Sequence, residues 1–384
     1  MKQSDFSLSS PGRLVPIPNQ SPDAQFAFIP SPLPPSWKWP EHLWKVLLQA
    51  RTCLASLDGT GKHLPNPELI VKPLQRREAQ LSSKLEGTIT DPQQQALFQA
   101  DPQYPASDAD PMNAYREVFN YGRALQLRRS DANALPLSLR LIRELHSVLM
   151  DGVRGSDQRP GEFRTIQNQI GKPARFVPPP PQNLNETLDA FEKYLHTEDE
   201  FDPLVRAFFA HYQFETIHPF GDGNGRVGRL LLSLSIMEWC KLSNQWLYMS
   251  AFFEREKERY MDLLFGVSTK GDWESWISFC LQGVVEQALD TEKRCDKLVG
   301  LHRDFHGRLK GGSVRLSTLV DSLFESPVVL VTRVKETFRV TYHTAKADLE
   351  KLTRLGIVEP LPDMKTITYY CPAIYNVSYE EVVP

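Results

Sequence analysis

Hydrophobic residues recur three and four positions apart through most of the chain. Between Glu41 and Leu57 the apolar positions follow a helical period, which predicts an amphipathic helix ending at Asp58-Gly59. Ser138 is placed to cap another such helix at its N-terminus. The same periodicity predicts helices over residues 75–85, 139–149, 203–217, 230–239, 254–267 and 273–298. The pattern therefore predicts a mainly α-helical fold.

One short stretch departs from this period. Phe163–Gln167 and Arg175–Val177 alternate in the manner of strands on either side of Gly171-Lys172-Pro173, which predicts a β-hairpin. The prolines at 178–181 are expected to end the hairpin, because proline cannot donate to a strand ladder.

Other segments divide the chain. Residues 1–40 are rich in proline, serine and glutamine and are expected to run extended over the surface. Residues 91–109 are polar and contain prolines, so we expect a loop there. The predicted organisation is a Pro-rich segment at 1–40, an N-terminal helical segment at 41–109, a helical core at 110–300 and a small unit at 313–384.

The small C-terminal unit has its own pattern. Three short helical patterns at 316–324, 331–338 and 343–355 precede two strand patterns at 356–360 and 366–370. This order resembles a winged helix. Basic and acidic residues are nearly equal in number over 313–384, which does not favour DNA binding. Contact with protein, including packing in a homodimer, is the favoured interpretation, and DNA contact stays an alternative.

The composition is that of an ordinary globular protein. The 384 residues are 41% hydrophobic and 24% charged, with a formal net charge of −3, so no overall attraction to nucleic acid or to an acidic membrane is expected. No apolar run reaches the length of about 18 residues that predicts a membrane span, and the first residues lack the apolar core of a signal peptide. Five scattered cysteines favour a reducing, cytoplasmic location.

The twelve residues from His218 to Arg229 carry the groups needed for chemistry on a nucleotide. They read His-Pro-Phe-Gly-Asp-Gly-Asn-Gly-Arg-Val-Gly-Arg, between two helical patterns. The glycines and the start of the second helix favour an anion site made of backbone N–H groups. Arg226 and Arg229 share one helix face and suit phosphate oxygens. Asp222 suits Mg²⁺ as a hard oxygen ligand, and His218 suits a general base.

At every specified position this stretch resembles the signature of Fic-domain proteins, His-Pro-Phe-x-Asp/Glu-Gly-Asn-Gly-Arg-x-x-Arg. The resemblance extends to residues 210–217 and 110–121, and it covers residues 35–290. It implies a Fic helical core, at 110–300, with a β-hairpin flap. It also implies a protein adenylyltransferase, which transfers AMP from ATP to a Tyr, Ser or Thr hydroxyl of a target protein, the chain itself included.

The resemblance assigns roles to individual residues. His218 is implied as the catalytic base, Asp222 as the Mg²⁺ ligand and Arg229 as the group that fixes the γ-phosphate. The implied nucleotide-binding residues are Gly223, Asn224, Gly225, Arg226, Arg229 and Tyr260. Tyr260 is expected to contact adenine, although simple core packing is an equal alternative.

The resemblance also gives the predicted hairpin a role. In Fic proteins the flap pairs main chain to main chain with the target, which is strand addition to an open edge. The implied docking residues are Thr165, Ile166, Gln167, Asn168 and Gln169. A minor surface hairpin without this role is the alternative.

A second family pattern lies near the N-terminus. Ser82-Ser83-Lys84-Leu85-Glu86-Gly87 resembles the inhibitory pattern Ser/Thr-x-x-x-Glu-Gly/Asn, with Ser82 and Glu86 as its defining residues. A carboxylate at a helix C-terminus opposes the macrodipole and costs ~0.3–1 kcal/mol, so helix stability does not explain Glu86. Arg229 is its expected partner.

Two other functions stay open at this point. The same site could remove AMP from a modified protein, with Glu86 orienting a water molecule. Alternatively, the winged helix could act in transcription control, with the Fic core sensing nucleotide. His302 and His306 are four residues apart and could share a helix face, but without a third nearby ligand we do not expect a metal site there.

Overall fold

The computed structural model describes residues 1–17, 25–62, 66–127, 135–154, 159–171, 173–309, 313–361 and 366–379. Within these ranges most residues are helical. The helices are α1 Leu43–Lys62, α2 Glu68–Leu85, α3 Pro92–Ala100, α4 Met112–Gln126, α5 Leu139–Leu149, α6 Pro181–His196, α7 Pro203–Ile217, α8 Asn224–Trp239, α9 Ser250–Arg255, α10 Lys257–Lys270, α11 Trp273–Leu309, α12 Val314–Glu325, α13 Val331–Phe338, α14 Tyr342–Arg354 and α15 Pro372–Tyr379. The predicted helical class is confirmed.

The centre of the molecule is the pair α7 and α8, which pack against each other along their length. Both helices are buried on nearly every side, as expected for helices with apolar residues all round. Helices α4, α5, α6 and α10 surround the pair, and α11 lies along α1. The loop joining α7 to α8 is therefore held between the ends of two buried helices.

Helix α2 connects different parts of the fold. It packs on α4 and α9 within the central bundle and on α12 and α15 from the C-terminal part of the chain. Arg76 on α2 donates hydrogen bonds to the carbonyl oxygens of Phe324, at 3.0 Å, and Glu325 at the end of α12. The helix that carries Ser82 and Glu86 is thus bonded to the C-terminal unit.

Two small antiparallel sheets complete the fold. Strand β1 (Gly12–Pro16) pairs with β2 (Phe26–Pro30) in a register that sets Leu14 opposite Phe28. The other sheet has the order β3-β5-β4, formed by Val328–Leu330, Thr368–Tyr370 and Glu359–Leu361. With α12, α13 and α14 this sheet gives the predicted winged-helix-like arrangement.

Several element bounds differ from the sequence prediction. Helix α1 runs through Gly59 to Lys62, and α2 begins earlier than predicted and includes Pro73. A helix, α3, occupies part of the predicted loop at 91–109, where Asp91 accepts a hydrogen bond from Gln94 N–H at 2.8 Å. The predicted helix over 254–267 is two helices, α9 and α10. Strand β3 and helix α15 were not predicted.

The N-terminal segment is more ordered than its proline content indicates. Strands β1 and β2 pair with each other inside the region predicted to run extended over the surface. Phe28 N–H donates to the carbonyl of Val177 at 2.9 Å, so this hairpin is attached to the base of the predicted flap. The boundaries proposed for the four regions stay predictions.

Among the described residues, no helix is both long enough and apolar enough to cross a membrane.

Candidate active site

The site is built on the loop between α7 and α8. His218 closes α7 in a left-handed conformation with φ of 50°, and Gly223 precedes α8 with φ of 74°. The side chain of Asn224 holds the loop between them: its Oδ1 accepts from Phe220 N–H at 2.8 Å and its Nδ2 donates to Phe220 O at 2.9 Å. Because that side chain is buried and fully used in the loop, only the backbone of Asn224 faces an incoming anion.

His218 has the protonation state that a base requires. Its Nδ1 lies 3.2 Å from the carbonyl oxygen of Glu215. A carbonyl oxygen can only accept, so this contact places the proton on Nδ1 and the lone pair on Nε2. Burial lowers the pKa of His218 to about 4. The imidazole is therefore neutral at pH 7, with a free basic nitrogen.

Asp222 presents its carboxylate to solvent. The side chain is 59% exposed, and Oδ1 accepts from Gly223 N–H at 2.6 Å. Oδ2 lies 3.9 Å from the guanidinium of Arg226. An exposed carboxylate beside a backbone anion site is a donor set that fits Mg²⁺ held jointly with phosphate oxygens.

Arg226 is buried, and a carboxylate on α4 holds its guanidinium. Its NH1 lies 3.3 Å from Glu117 Oε2 on α4. The same carboxylate accepts from Thr88 Oγ1 at 2.6 Å and from Arg154 Nε at 2.8 Å. Glu117 thereby fixes the direction of Arg226.

Arg229 is bound by the end of α2. Its NH2 lies 2.8 Å from Glu86 Oε1 and 2.9 Å from the carbonyl of Ser82, and its Nε donates to Ser82 Oγ at 2.8 Å. Burial alone would raise the pKa of Glu86, but Arg229 reverses this and the carboxyl pKa is lowered overall. The structure thus brings together the two residues that the sequence analysis paired.

Glu86 also lies close to Gly225 in the first turn of α8. A Cβ on Gly225 would lie 2.2 Å from Glu86 Oε1, so only glycine leaves room for the carboxylate there. Lys257 on α10 donates to the carbonyl of Leu85 at 2.6 Å, which fixes the end of α2 above the loop.

A cavity of about 530 Å³ opens between these groups and α10. Its walls include Glu86, His218, Gly225, Arg229, Lys257 and Tyr260. Tyr260 is buried and its ring stacks on Phe253 at 4.5 Å. Its hydroxyl lies 2.9 Å from Nε2 of His211, whose Nδ1 faces the carbonyl of Gly228. The Tyr260 hydroxyl is therefore occupied by His211, and the ring serves as a wall.

The predicted flap is present as a tight turn with one antiparallel bridge, Ile170 to Phe176, and not as two paired strands. Lys172, at its tip, lies outside the described residues. Thr165, Ile166 and Gln169 are exposed. The side chains of Gln167 and Asn168 bond to backbone carbonyls, at 3.0 Å to Pro178 and 2.8 Å to Phe220. Their amides shape the flap.

Arg164 connects the predicted flap to the loop between α7 and α8. Its Nε donates to the carbonyl of His218 at 2.9 Å, its NH1 to that of Ile166 at 3.1 Å, and its own N–H to that of Pro219 at 2.9 Å. Arg164 was not among the residues predicted for the site. The one sequence signal for Arg164 is its position within the predicted flap.

His146 on α5 was also missed. Its ring stacks on Phe220 with centroids 3.8 Å apart. Nδ1 accepts from Gly161 N–H at 2.8 Å and Nε2 lies 3.2 Å from the carbonyl of Asp222. These bonds require the neutral imidazole, and burial lowers the pKa of His146 to about 4. His146 supports the loop and does not face the cavity.

Comparisons with known proteins identify the regions that carry the site. Residues 136–236 match the Fic/DOC family model and residues 44–127 match the Fic/DOC family N-terminal model. A protein adenylyltransferase Fic from Drosophila persimilis is 33% identical over 138 residues, which are 34% of this chain and 26% of that protein. One from Aedes aegypti is 31% identical over 160 residues, 40% of this chain and 29% of that protein. The matched regions span less than a third of those relatives.

Solved structures share the fold at low sequence identity. A Fic family protein from Desulfovibrio desulfuricans superposes with a TM-score of 0.56 at 18% identity, covering 88% of this chain and 98% of that one. A Fic-1 fragment from C. elegans gives 0.52 at 19% identity, covering 66% and 73%. The two matched regions contain the α7–α8 loop and the helix that carries Ser82 and Glu86, and the chain shares the fold of these solved structures.

Proposed function

We propose that this protein transfers AMP from ATP to a Tyr, Ser or Thr hydroxyl of a target protein, and that Glu86 inhibits the reaction. The observation that carries the proposal is the neutral imidazole of His218, which stands beside the cavity that Arg229 and the start of α8 line. The relatives named protein adenylyltransferase support the same activity.

The nucleotide would bind with its phosphates at the N-terminus of α8. The backbone N–H groups of Asn224 and Gly225 and the positive end of the helix dipole favour anions there. Arg226, held by Glu117, and Arg229 supply charge. The cavity beyond the loop, with Tyr260 in its wall, has the volume for the nucleoside.

The chemistry needs one proton transfer and one displacement. His218 Nε2 takes the proton of the acceptor hydroxyl. The resulting oxygen forms a bond to the α-phosphorus, the bond from that phosphorus to the bridging oxygen breaks, and pyrophosphate leaves. Asp222 is the residue that would hold Mg²⁺, which neutralises phosphate charge when bound.

Inhibition follows from competition for one guanidinium. Arg229 gives its NH2 to Glu86 and its Nε to Ser82, so it is not free to fix a γ-phosphate. Glu86 is 40% exposed and sits at the rim of the cavity, which allows it to leave without unfolding the core.

Removal of AMP is a second function that one observation favours. The lowered pKa of Glu86 keeps its carboxylate ionised, within the same cavity as His218. An ionised carboxylate there can orient a water molecule toward an AMP-modified side chain. The two functions make opposite demands on Glu86, since transfer is slowed by it and removal depends on it.

Partners and location belong to the same proposal. We propose a target protein with an exposed hydroxyl near an extended segment, a homodimeric assembly and a cytoplasmic location. DNA contact by residues 313–384 stays an alternative that their near-neutral charge does not favour.

The test uses the Glu86→Gly variant of the full chain, incubated with labelled ATP and Mg²⁺, alone and with cell lysate. Covalent AMP should appear on the chain or on a lysate protein and should be absent when His218→Ala is added. A Glu86→Gly protein that labels nothing in either setting contradicts AMP transfer. Release of AMP from a pre-labelled target by the wild type, lost in Glu86→Gly, would identify removal as the main activity.

A further inference from the structure

Three side chains converge at the junction of α11 and α12, far from the candidate active site in the chain. His302 and His306 stand one turn apart on α11, and Asp321 faces them from α12. Each Nε2 lies 2.8 Å from Asp321 Oδ1. Across the described parts of the chain, this is the only group of three His, Cys, Asp or Glu residues whose ligand atoms all lie within 4.8 Å of one another.

The three side chains are arranged like the ligands of a metal ion, with their donor atoms directed at one point. The two imidazoles have centroids 4.4 Å apart and direct their Nε2 atoms at the same carboxylate oxygen. Donors on a tetrahedral metal, with bonds of about 2.0–2.2 Å, stand roughly 3.4 Å apart. Lengthening each Nε2 to Oδ1 distance by about 0.6 Å therefore makes room for an ion.

The surroundings hold one imidazole in this direction. The ring of His302 packs edge-on against Phe324 of α12 at 5.5 Å, and Phe324 in turn packs on Phe305. All three candidate ligands are partly exposed, with side-chain accessibilities of 36%, 31% and 39%. An ion can enter from solvent, and a fourth position is open to water.

We propose that His302, His306 and Asp321 form a site for a divalent transition metal, with Zn²⁺ as the best match. Two imidazoles and one carboxylate are ligands that zinc, nickel or copper accepts, whereas Mg²⁺ and Ca²⁺ prefer oxygen ligands throughout. The site fastens α12 to α11, on the two sides of residues 310–312. It does not depend on the proposed AMP transfer.

The test is zinc binding to the full chain without a histidine tag. Protein stripped with a chelator is titrated with Zn²⁺ against a chromophoric zinc chelator, in excess Mg²⁺ to occupy oxygen-only sites. We expect one Zn²⁺ per chain. His306→Gln and Asp321→Asn should each weaken binding by at least about tenfold. His42→Gln is the matched control, because His42 is an exposed histidine 3.3 Å from a single carboxylate, that of Glu274, and it should leave the affinity unchanged.

A second measurement uses the wild type, so it tests the site even if a variant fails to fold. Co²⁺ bound to the wild type should give the intense visible absorption of a tetrahedral site, and Zn²⁺ should abolish it. The proposal is overturned if His306→Gln and Asp321→Asn bind stoichiometric zinc as tightly as the wild type does. It is also overturned if the wild type binds no zinc. In that case the cluster is a hydrogen-bonded contact between two helices.

Discussion

The Arg229 guanidinium lies 2.8 Å from the carboxylate of Glu86, although 143 residues separate the two in the chain. Arg229 is 2% exposed and Glu86 is 40% exposed. The cation is therefore fixed by the core, whereas the anion sits at a rim and is the partner that can be displaced.

Replacing Glu86 with Gly should raise the rate of AMP transfer. A charge-assisted hydrogen bond is worth roughly 1.5–3 kcal/mol, which corresponds to about 10- to 150-fold. We expect a gain near the lower end, because solvent screens the partly exposed carboxylate. The measurement is the initial rate of AMP incorporation.

The matched control for this prediction is Glu254→Gly. It removes an ion pair of 2.8 Å between Lys84 and Glu254 at the same end of α2 without touching Arg229. Its rate should stay at the wild-type level, and the gain from Glu86→Gly should disappear when Arg229→Ala is added. Equal rates for Glu86→Gly and wild type would show that α2 does not inhibit.

Replacing His218 with Ala in the Glu86→Gly background should lower AMP transfer by ~10²–10⁴-fold while ATP still binds. The proposed phosphate contacts come from α8 and its arginines, which the substitution leaves in place. Binding is followed by calorimetry and transfer by mass spectrometry. A variant that keeps near-normal transfer would remove His218 from the role of base.

The pH profile tests the same residue independently. The pKa of His218 is about 4, so the base loses its lone pair only as pH falls through that value. The kcat/KM for the target should therefore be flat from pH 8 down to pH 5, without the inflection near 6.5 of an ordinary histidine. Burial raises the pKa of the adjacent Glu215 to about 8, so the profile is best taken in a Glu215→Gln background. An inflection near 6.5 there would contradict the buried, neutral state.

Asp222→Asn isolates the charge of the proposed metal ligand. The amide oxygen can still accept from Gly223 N–H, as Oδ1 does at 2.6 Å, so the loop should keep its shape. Transfer should fall strongly and recover in part only at much higher Mg²⁺, since a neutral oxygen binds the ion more weakly. The rate is measured against Mg²⁺ concentration. An unchanged magnesium requirement would exclude Asp222 as the ligand.

A proline in the flap should harm target labelling more than an alanine at the same position. Within the described ranges, no backbone hydrogen bond uses the N–H groups of residues 165–169, so they are free to pair with a docked strand. Gln169 is exposed. Gln169→Pro removes one donor and Gln169→Ala keeps it.

The measurement for the flap is the KM for the target, with AMP transfer to water or to small acceptors as a check on the catalytic loop. Asn168→Ala is not a neutral control, because Asn168 bonds to Phe220 O. Equal KM values for the proline and alanine variants would place target docking elsewhere.

Local features of the site could be predicted from the sequence. The loop from His218 to Asn224 is specified by its own residues, and Ser138 caps α5 with a hydrogen bond of 3.3 Å from Leu141 N–H as predicted. Helix α3 lies in a segment predicted to be a loop. Asp91-Pro92 is an ordinary helix start signal, but the polar residues around it indicate a loop.

The supporting residues could not be predicted, since their roles depend on contacts between distant segments. In the sequence, Glu117, His146 and Arg164 look like ordinary polar positions on a helix or loop. Only the packing of α4, α5 and the flap around α7 and α8 buries them and directs them at the loop. The third member of the His302 and His306 cluster was hidden for the same reason, because Asp321 belongs to another helix.

The bonds of Arg164 have a consequence for how an acceptor residue would be chosen. One guanidinium donates to the backbone carbonyls of both His218 and Ile166, so the backbone at His218 and the flap form one hydrogen-bonded frame. A peptide laid along that frame would bring its residues past the imidazole in steps set by the strand repeat of about 3.3 Å. The hydroxyl that is modified would be selected by its position along the docked segment and not by recognition of the side chain that bears it.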